Sequence, residues 1–72
     1  MFNLRVTIAE NLMRDREKRK LTHTEYAKRI GISRTTMYLY ETGKRYIPTD
    51  TLYRIYETYG VTPNEMLGIK AQ

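Results

Sequence analysis

Apolar side chains recur at helical spacing in five short segments of this chain, between about residues 8 and 67. In the first segment Ile8 and Leu12 lie one turn apart, and each later segment ends beside a glycine, which readily takes the left-handed conformation found at helix ends. No segment has a convincing strand pattern. The sequence therefore predicts an all-α fold, a compact five-helix bundle in one domain, with its core over residues 7–68 and a frayed tail at 69–72.

Capping residues mark where these helices are expected to begin. Thr7 is followed three residues later by Glu10, the spacing of a capping box, so the first helix should be under way one residue after the threonine. Residues 1–6 are then an arm, a short strand or an early helical turn. Thr49 or Asp50 is expected to cap the fourth helix. The remaining expected caps are Thr22 with Glu25, Ser33, and Thr62 with Glu65.

The segment from Leu21 to Gly43 has the pattern of two short helices joined by a tight turn. Gly31 ends the first helix, and the small Ala27 lies where the two helices should cross closely. Two helices joined by a turn this short describe a helix-turn-helix. Their inward-facing residues at helical spacing are Tyr26, Ile30, Ile32, Met37 and Tyr40.

A longer set of residues in and after this segment has a familiar order. It consists of Leu21, Thr22, Glu25, Ala27, Ile30, Gly31, Ile32, Ser33, Arg34, Thr36, Met37 and the run Tyr40-Glu41-Thr42-Gly43-Lys44-Arg45. The pattern resembles the helix-turn-helix of the Cro and phage-repressor family, also called the xenobiotic-response-element family. The resemblance extends from about Ile8 to Leu67. It implies a lambda-repressor-like DNA-binding domain.

The charge of the chain is consistent with an anionic partner. Its net charge is +5 and its sequence pI about 9.7. Residues 1–36 hold nine Lys or Arg and four Asp or Glu, a balance of +5, whereas residues 37–72 hold four of each. The first half of the chain is therefore the part suited to phosphate, and double-stranded DNA is the expected partner.

Composition also argues against several other classes of function. The chain has no cysteine and one histidine, His23, so neither a disulfide nor a zinc site is expected. No carboxylate pair is placed for acid–base catalysis, and we expect no enzyme activity, cofactor or small-molecule ligand. No apolar run approaches membrane-spanning length and the N-terminus lacks the features of a signal peptide, so a cytoplasmic location is expected.

Base reading is expected from the second helix of the motif. Short or planar polar side chains on its first turns and outward face can match the donors and acceptors of the major groove. Arg34 is the strongest candidate, because its planar fork can bond O6 and N7 of guanine; the alternative is a phosphate contact. Tyr38 can stack or bond a phosphate. Thr35 and Leu39 can make apolar contact with a thymine methyl. The full set is Ser33, Arg34, Thr35, Tyr38 and Leu39.

Phosphate binding is expected from the loop that the resembling family uses to grip the DNA backbone. Gly43 lets the chain approach closely, and two cations follow it. His23 occupies a position where the family often has glutamine, which braces the recognition helix and touches a phosphate; the alternative is an exposed helix-start residue. The phosphate-binding candidates are His23, Thr42, Gly43, Lys44, Arg45 and Tyr46.

One ion pair is implied by the resemblance alone. A dense positive run, Arg14 to Lys20, ends the first helix and is either a solvated face or a source of phosphate contacts. Within it, Arg16 matches the arginine that pairs, in the family, with the glutamate ending the recognition helix, here Glu41. That pair is structural. Asp15 stands where many family members carry leucine.

Tyrosines and the C-terminal half supply the remaining expectations. Most of the seven tyrosines, Tyr56 included, are expected in the core rather than stacked on bases.

One recognition helix reads few base pairs, so a weak homodimer that tightens on DNA and an inverted-repeat operator are expected. The dimer contact is expected from the C-terminal half, residues 37–72, which has no net charge. Core packing is the alternative for Val61, Met66 and Leu67. The dimer candidates are Tyr53, Val61, Pro63, Met66, Leu67 and Ile69.

Together these observations predict a sequence-specific double-stranded DNA-binding transcriptional regulator. A repressor or Cro-like switch protein of phage, plasmid or bacterial origin is the expected type. The alternative is an antitoxin-like or other protein-interaction module built on the same fold.

Overall fold

A computed structural model describes residues 3–69 of the chain. They form five α-helices: α1 (Leu4–Lys18), α2 (His23–Arg29), α3 (Arg34–Glu41), α4 (Thr49–Tyr59) and α5 (Pro63–Leu67). No strand occurs within residues 3–69, so the predicted all-α, five-helix architecture is confirmed. Within the same range every helix is too short or too polar to cross a membrane.

The core lies between α1 and the helices packed on it. α1 contacts α3 and α5, while α2 packs against α3 and α4 against α5. Leu12, Tyr26 and Met37 are fully buried, and Ile47 in the loop before α4 joins them although the sequence pattern did not single it out. The buried cluster is Ile8, Leu12, Tyr26, Ala27, Ile30, Met37, Tyr40, Ile47, Ile55 and Met66.

The helix-turn-helix forms at the predicted residues. The Thr22 hydroxyl accepts from the Glu25 amide at 3.1 Å, and the Glu25 carboxylate accepts from the Thr22 amide at 3.0 Å, which completes the capping box. Gly31 ends α2 with a φ of +76°, a conformation that costs glycine little. Ser33 caps α3. Local sequence therefore determines both ends of the turn.

Three predicted helix starts differ in detail. α1 begins one turn early because the Asn3 side chain accepts from the amides of residues 5 and 6, so Thr7 lies inside the helix and forms no capping box. Pro48 precedes α4, and neither Thr49 nor Asp50 caps it. Thr62 caps α5, but its hydroxyl bonds the Glu65 carboxylate, so only half of that box forms. Residues 1 and 2 lie outside the described range.

Tyr56 is not a core residue, contrary to the sequence prediction. Its side chain is 45% exposed, whereas Ile55 is buried and Leu52 and Tyr59 are half-buried. The 3.6-residue repeat does not predict where the inward face of a helix ends and its exposed surface begins. Tyr56 lies at that boundary. Its ring centroid lies 6.2 Å from that of Tyr53.

A partly buried polar network joins α1, α2 and α4. The Tyr26 hydroxyl donates to Asp15 at 2.8 Å, and Arg19 pairs with the same carboxylate at 2.9 Å. The ring of Tyr26 stacks on that of Tyr59 at 4.3 Å, and Arg19 donates to the Tyr59 carbonyl at 2.8 Å. Burial raises the pKa of Tyr26 far above its ordinary value, and the hydrogen bond to Asp15 raises it further. The Asp15 carboxylate is thus satisfied by two donors, Tyr26 and Arg19.

Candidate nucleic-acid interface

The outward face of α3 carries most of the predicted base-reading residues. Arg34, Thr35 and Tyr38 are exposed, while Met37 and Tyr40 of the same helix are buried. Leu39 is half-buried. An open groove of about 230 Å³ is lined by His23, Arg34, Thr35 and Tyr38. α3 therefore offers a cation, a hydroxyl and an aromatic ring to whatever lies against this face.

Ser33 uses its side chain locally. Its hydroxyl accepts from the Thr36 amide at 3.1 Å and donates to the Thr36 hydroxyl at 2.8 Å. The single hydroxyl proton is therefore engaged in the helix cap and is not free to donate to a base. Ser33 positions the start of α3, and Arg34 and Thr35 follow as the first exposed side chains.

Glu41 ties the end of α3 to α1. Arg16 Nε and Nη2 lie 2.9 and 3.2 Å from its two carboxylate oxygens, a bidentate arrangement. The remaining Arg16 nitrogen, Nη1, donates to the Leu21 carbonyl at 2.9 Å. The Glu41 side chain is only 4% exposed and that of Arg16 14%, so the pair is largely shielded from water. This ion pair fixes α3 against α1.

His23 connects the start of α2 to the same carboxylate. Its Nε2 lies 3.3 Å from Glu41 Oε2, and its ring meets that of Tyr38 edge-on, with centroids 6.3 Å apart. The side chain is about 30% exposed. His23 therefore lies between the buried ion pair and the open groove.

The loop after α3 carries the predicted phosphate-binding residues. Gly43 has a φ of +72°, and Lys44, Arg45 and Tyr46 are exposed. The Thr42 hydroxyl donates to the Tyr38 carbonyl at 2.9 Å, so its proton is used within the chain. The loop therefore presents two cations and one aromatic ring.

Arg5 adds a cation that the sequence reasoning missed. Its guanidinium carbon lies 5.2 Å from the centroid of the Tyr46 ring, although 41 positions separate the residues in sequence. A lone arginine near the start of a helix has no distinctive spacing, so its proximity to the loop emerges only from the packing of α1 against α3.

The dimer candidates divide into exposed and buried residues. Tyr53 and Ile69 are 57% and 55% exposed, and Pro63 is also exposed. Val61 and Leu67 are half-buried against the core. Met66 is only 1% exposed, so its assignment to a dimer surface was wrong. Its place on the inner side of α5 gives it the core role that was the alternative.

The match to a known family agrees with this geometry. The helix-turn-helix domain family, of the Cro and repressor type, matches residues 9–68, and the chain belongs to that family. Its members are typically non-enzymatic DNA-binding proteins. No curated protein and no solved structure matches the chain. The fold and the family together indicate a DNA-binding regulator.

Proposed function

We propose that the protein is a sequence-specific transcriptional regulator that reads the major groove of double-stranded DNA with α3. A repressor or Cro-like switch of phage, plasmid or bacterial origin is the type that we favour, acting in the cytoplasm where its operator lies. The observation that carries the proposal is the exposed row of Arg34, Thr35 and Tyr38 on a helix whose opposite side is buried.

The chemistry of this face supports base recognition. The major groove is about 12 Å wide, enough for one α-helix with its side chains, and each base pair presents a distinct pattern there. Arg34 can bond O6 and N7 of guanine through its fork, and the methyl of Thr35 can contact thymine. Lys44 and Arg45 lie just beyond the end of α3, where the DNA backbone would pass, and suit phosphate contacts.

Replacing Arg34 and replacing a loop cation should have different consequences. Arg34→Ala should relax preference at one base pair by about 1–3 kcal/mol, because a bidentate base contact discriminates by that amount. Lys44→Ala should instead weaken binding to all sequences alike and reduce the slope of log K against log salt by about 0.9. Fluorescence anisotropy with specific and random duplexes over a salt series would measure both effects.

Lys28→Ala is a matched control for Lys44→Ala, since Lys28 is also an exposed lysine and lies near the end of α2. Loss of affinity by the same factor for specific and random DNA in Arg34→Ala would contradict its assignment to base reading. It would place Arg34 among the phosphate contacts.

Two-fold assembly is the second part of the proposal. We favour a weak homodimer that tightens on DNA, with the two α3 helices about 34 Å apart on an inverted-repeat operator. The contact would use the exposed residues Tyr53, Pro63 and Ile69, flanked by Val61 and Leu67. Tyr56 extends this surface, because its exposed ring lies beside that of Tyr53.

Selection of binding sites from random duplex DNA tests DNA binding and symmetry together. The expected product is a pair of inverted half-sites, with two protein chains per duplex in analytical ultracentrifugation. Recovery of one non-repeated half-site bound by one chain would contradict the dimer. Failure to enrich any sequence would contradict base reading and favour the protein-interaction alternative.

A further inference from the structure

The start of α1 carries a cation in an electrostatically unfavourable place. Arg5 lies in the first turn, where the helix dipole disfavours positive charge and where α1 has no acidic residue. The Asn3 side chain already accepts from the Arg5 and Val6 amides, at 3.0 and 3.4 Å. These two amides are therefore unavailable to an external anion, whereas the exposed Arg5 side chain is available.

Arg5 lies against the loop that follows α3. A Cβ added to Gly43 would lie 3.8 Å from the Arg5 carbonyl oxygen and 3.9 Å from the Val6 Cα, so the two segments approach closely. The Arg5 guanidinium carbon is 5.2 Å from the centroid of the Tyr46 ring. Tyr46 directly follows Lys44 and Arg45 in that loop. Arg5 therefore lies beside the loop that carries these two cations.

The fold does not neutralise Arg5 as it neutralises two arginines at the other end of α1. Arg16 and Arg19 each have a carboxylate oxygen at 2.9 Å. Within residues 3–69 no carboxylate lies within 4.0 Å of the Arg5 guanidinium. The charge of Arg5 is thus available to an external anion, and like charges nearby make such an anion favourable.

We propose that Arg5 binds a DNA backbone phosphate adjacent to those contacted by the loop, with Tyr46 as its positioning residue. The inference rests on the proposed function and adds a contact to it. A guanidinium can bond two phosphate oxygens at once, and the aromatic face of Tyr46 holds it near the loop before DNA arrives. The phosphate-binding surface then spans two segments of the chain, the start of α1 and the loop after α3.

Salt dependence provides the first test. Arg5→Ala should reduce the slope of log K against log salt by about 0.9, the value for one lost phosphate contact. Raising the salt from about 50 to 200 mM is a fourfold change, and four raised to the power of about 0.9 is about 3.5. The factor by which affinity falls over this range should therefore be about 3.5 times smaller for Arg5→Ala than for the native chain. Arg5→Lys should keep the slope.

Arg14→Ala is the matched control for Arg5→Ala. Arg14 is an exposed arginine of the same helix, but it bonds Asn11 at 3.2 Å and lines the groove between α1 and α5. Its removal should leave the slope unchanged. Tyr46→Phe keeps the ring and Tyr46→Leu removes it, so Tyr46→Leu should bind DNA about 2–5-fold more weakly than Tyr46→Phe, which is part of the effect of removing the cation.

Substituting single phosphates by neutral methylphosphonates would identify the partner of Arg5. One substitution should weaken binding of the native chain but have no further effect on Arg5→Ala, while other substitutions weaken both proteins equally. If the native chain shows no salt-dependent duplex binding, the proposed function and this inference both fail. If it binds DNA and Arg5→Ala keeps the full slope and every phosphate dependence, only the Arg5 contact is overturned.

Discussion

Replacing Glu41 with alanine is expected to lower the free energy of unfolding by about 3–5 kcal/mol, the usual cost of removing one partner of a buried ion pair. The substitution would strand the Arg16 guanidinium, which is 14% exposed and would keep only the Leu21 carbonyl among its partners in the described residues. A domain of this size typically has roughly 4–11 kcal/mol of stability. Chemical denaturation followed by circular dichroism should therefore show a large part of that stability lost.

A double-mutant cycle separates the buried pair from a general loss of charge. Replacing both Arg16 and Glu41 with methionine should recover much of the loss, because apolar residues of similar volume often replace a buried pair at little cost. Glu10→Ala, an exposed glutamate of α1, should change stability by less than about 0.5 kcal/mol. Melting of Glu41→Ala within two degrees or so of the native chain would show that the pair contributes little.

Tyr26→Ala is expected to cost about 3–5 kcal/mol, similar to other deletions of a buried aromatic ring. The ring is completely buried and stacked on Tyr59, and its hydroxyl bonds Asp15. Tyr26→Phe should cost less, about 1.5–3 kcal/mol, because only the hydrogen bond to the carboxylate is lost. Tyr53→Ala, at an exposed tyrosine, is the matched control and should change little.

Alkaline pH gives a second measure of the Tyr26 environment. Its pKa is raised in the fold, so the stabilisation is fully present below about pH 10, the ordinary tyrosine value, and is lost as the pH rises towards the folded-state pKa. Stability should fall by up to about 1.4 kcal/mol per pH unit there. Tyr26→Phe should show a shallower fall in denaturation curves taken across this range. An unchanged slope would mean that Tyr26 ionises as readily in the fold as in the unfolded chain.

The helix-turn-helix could be predicted from sequence because its determinants are local. Thr22 with Glu25, Gly31 and Ser33 act within a few residues, and each works through the hydrogen bonds or backbone conformation that its residue type favours. The inward face of α2 and α3 followed from periodicity for the same reason. The ends of α2 and α3 therefore agree with the prediction.

Other features could not be predicted because they depend on distant contacts or on competing local signals. Asn3 and Thr7 are both residues that can cap a helix. Asn3 caps α1, because its side chain accepts hydrogen bonds from two backbone amides. The contact of Asp15 with Tyr26 joins two separate segments of the chain, and so does the contact of Arg5 with Tyr46. Both contacts depend on how the helices pack together. The spacing of residues within one segment therefore does not predict these contacts.

The two sides of α3 differ in a way that bears on how such a protein can change over evolution. Met37, Tyr40 and Glu41 hold the helix in place, whereas Arg34 and Tyr38 are exposed on its outward face, where the Tyr38 ring meets that of His23 edge-on. Substitutions at exposed positions usually alter stability by less than about 0.5 kcal/mol. If α3 reads bases as proposed, preference for a new operator can arise by single steps without compensating changes in the core, and an engineer can vary those positions in a library while holding the inner side constant.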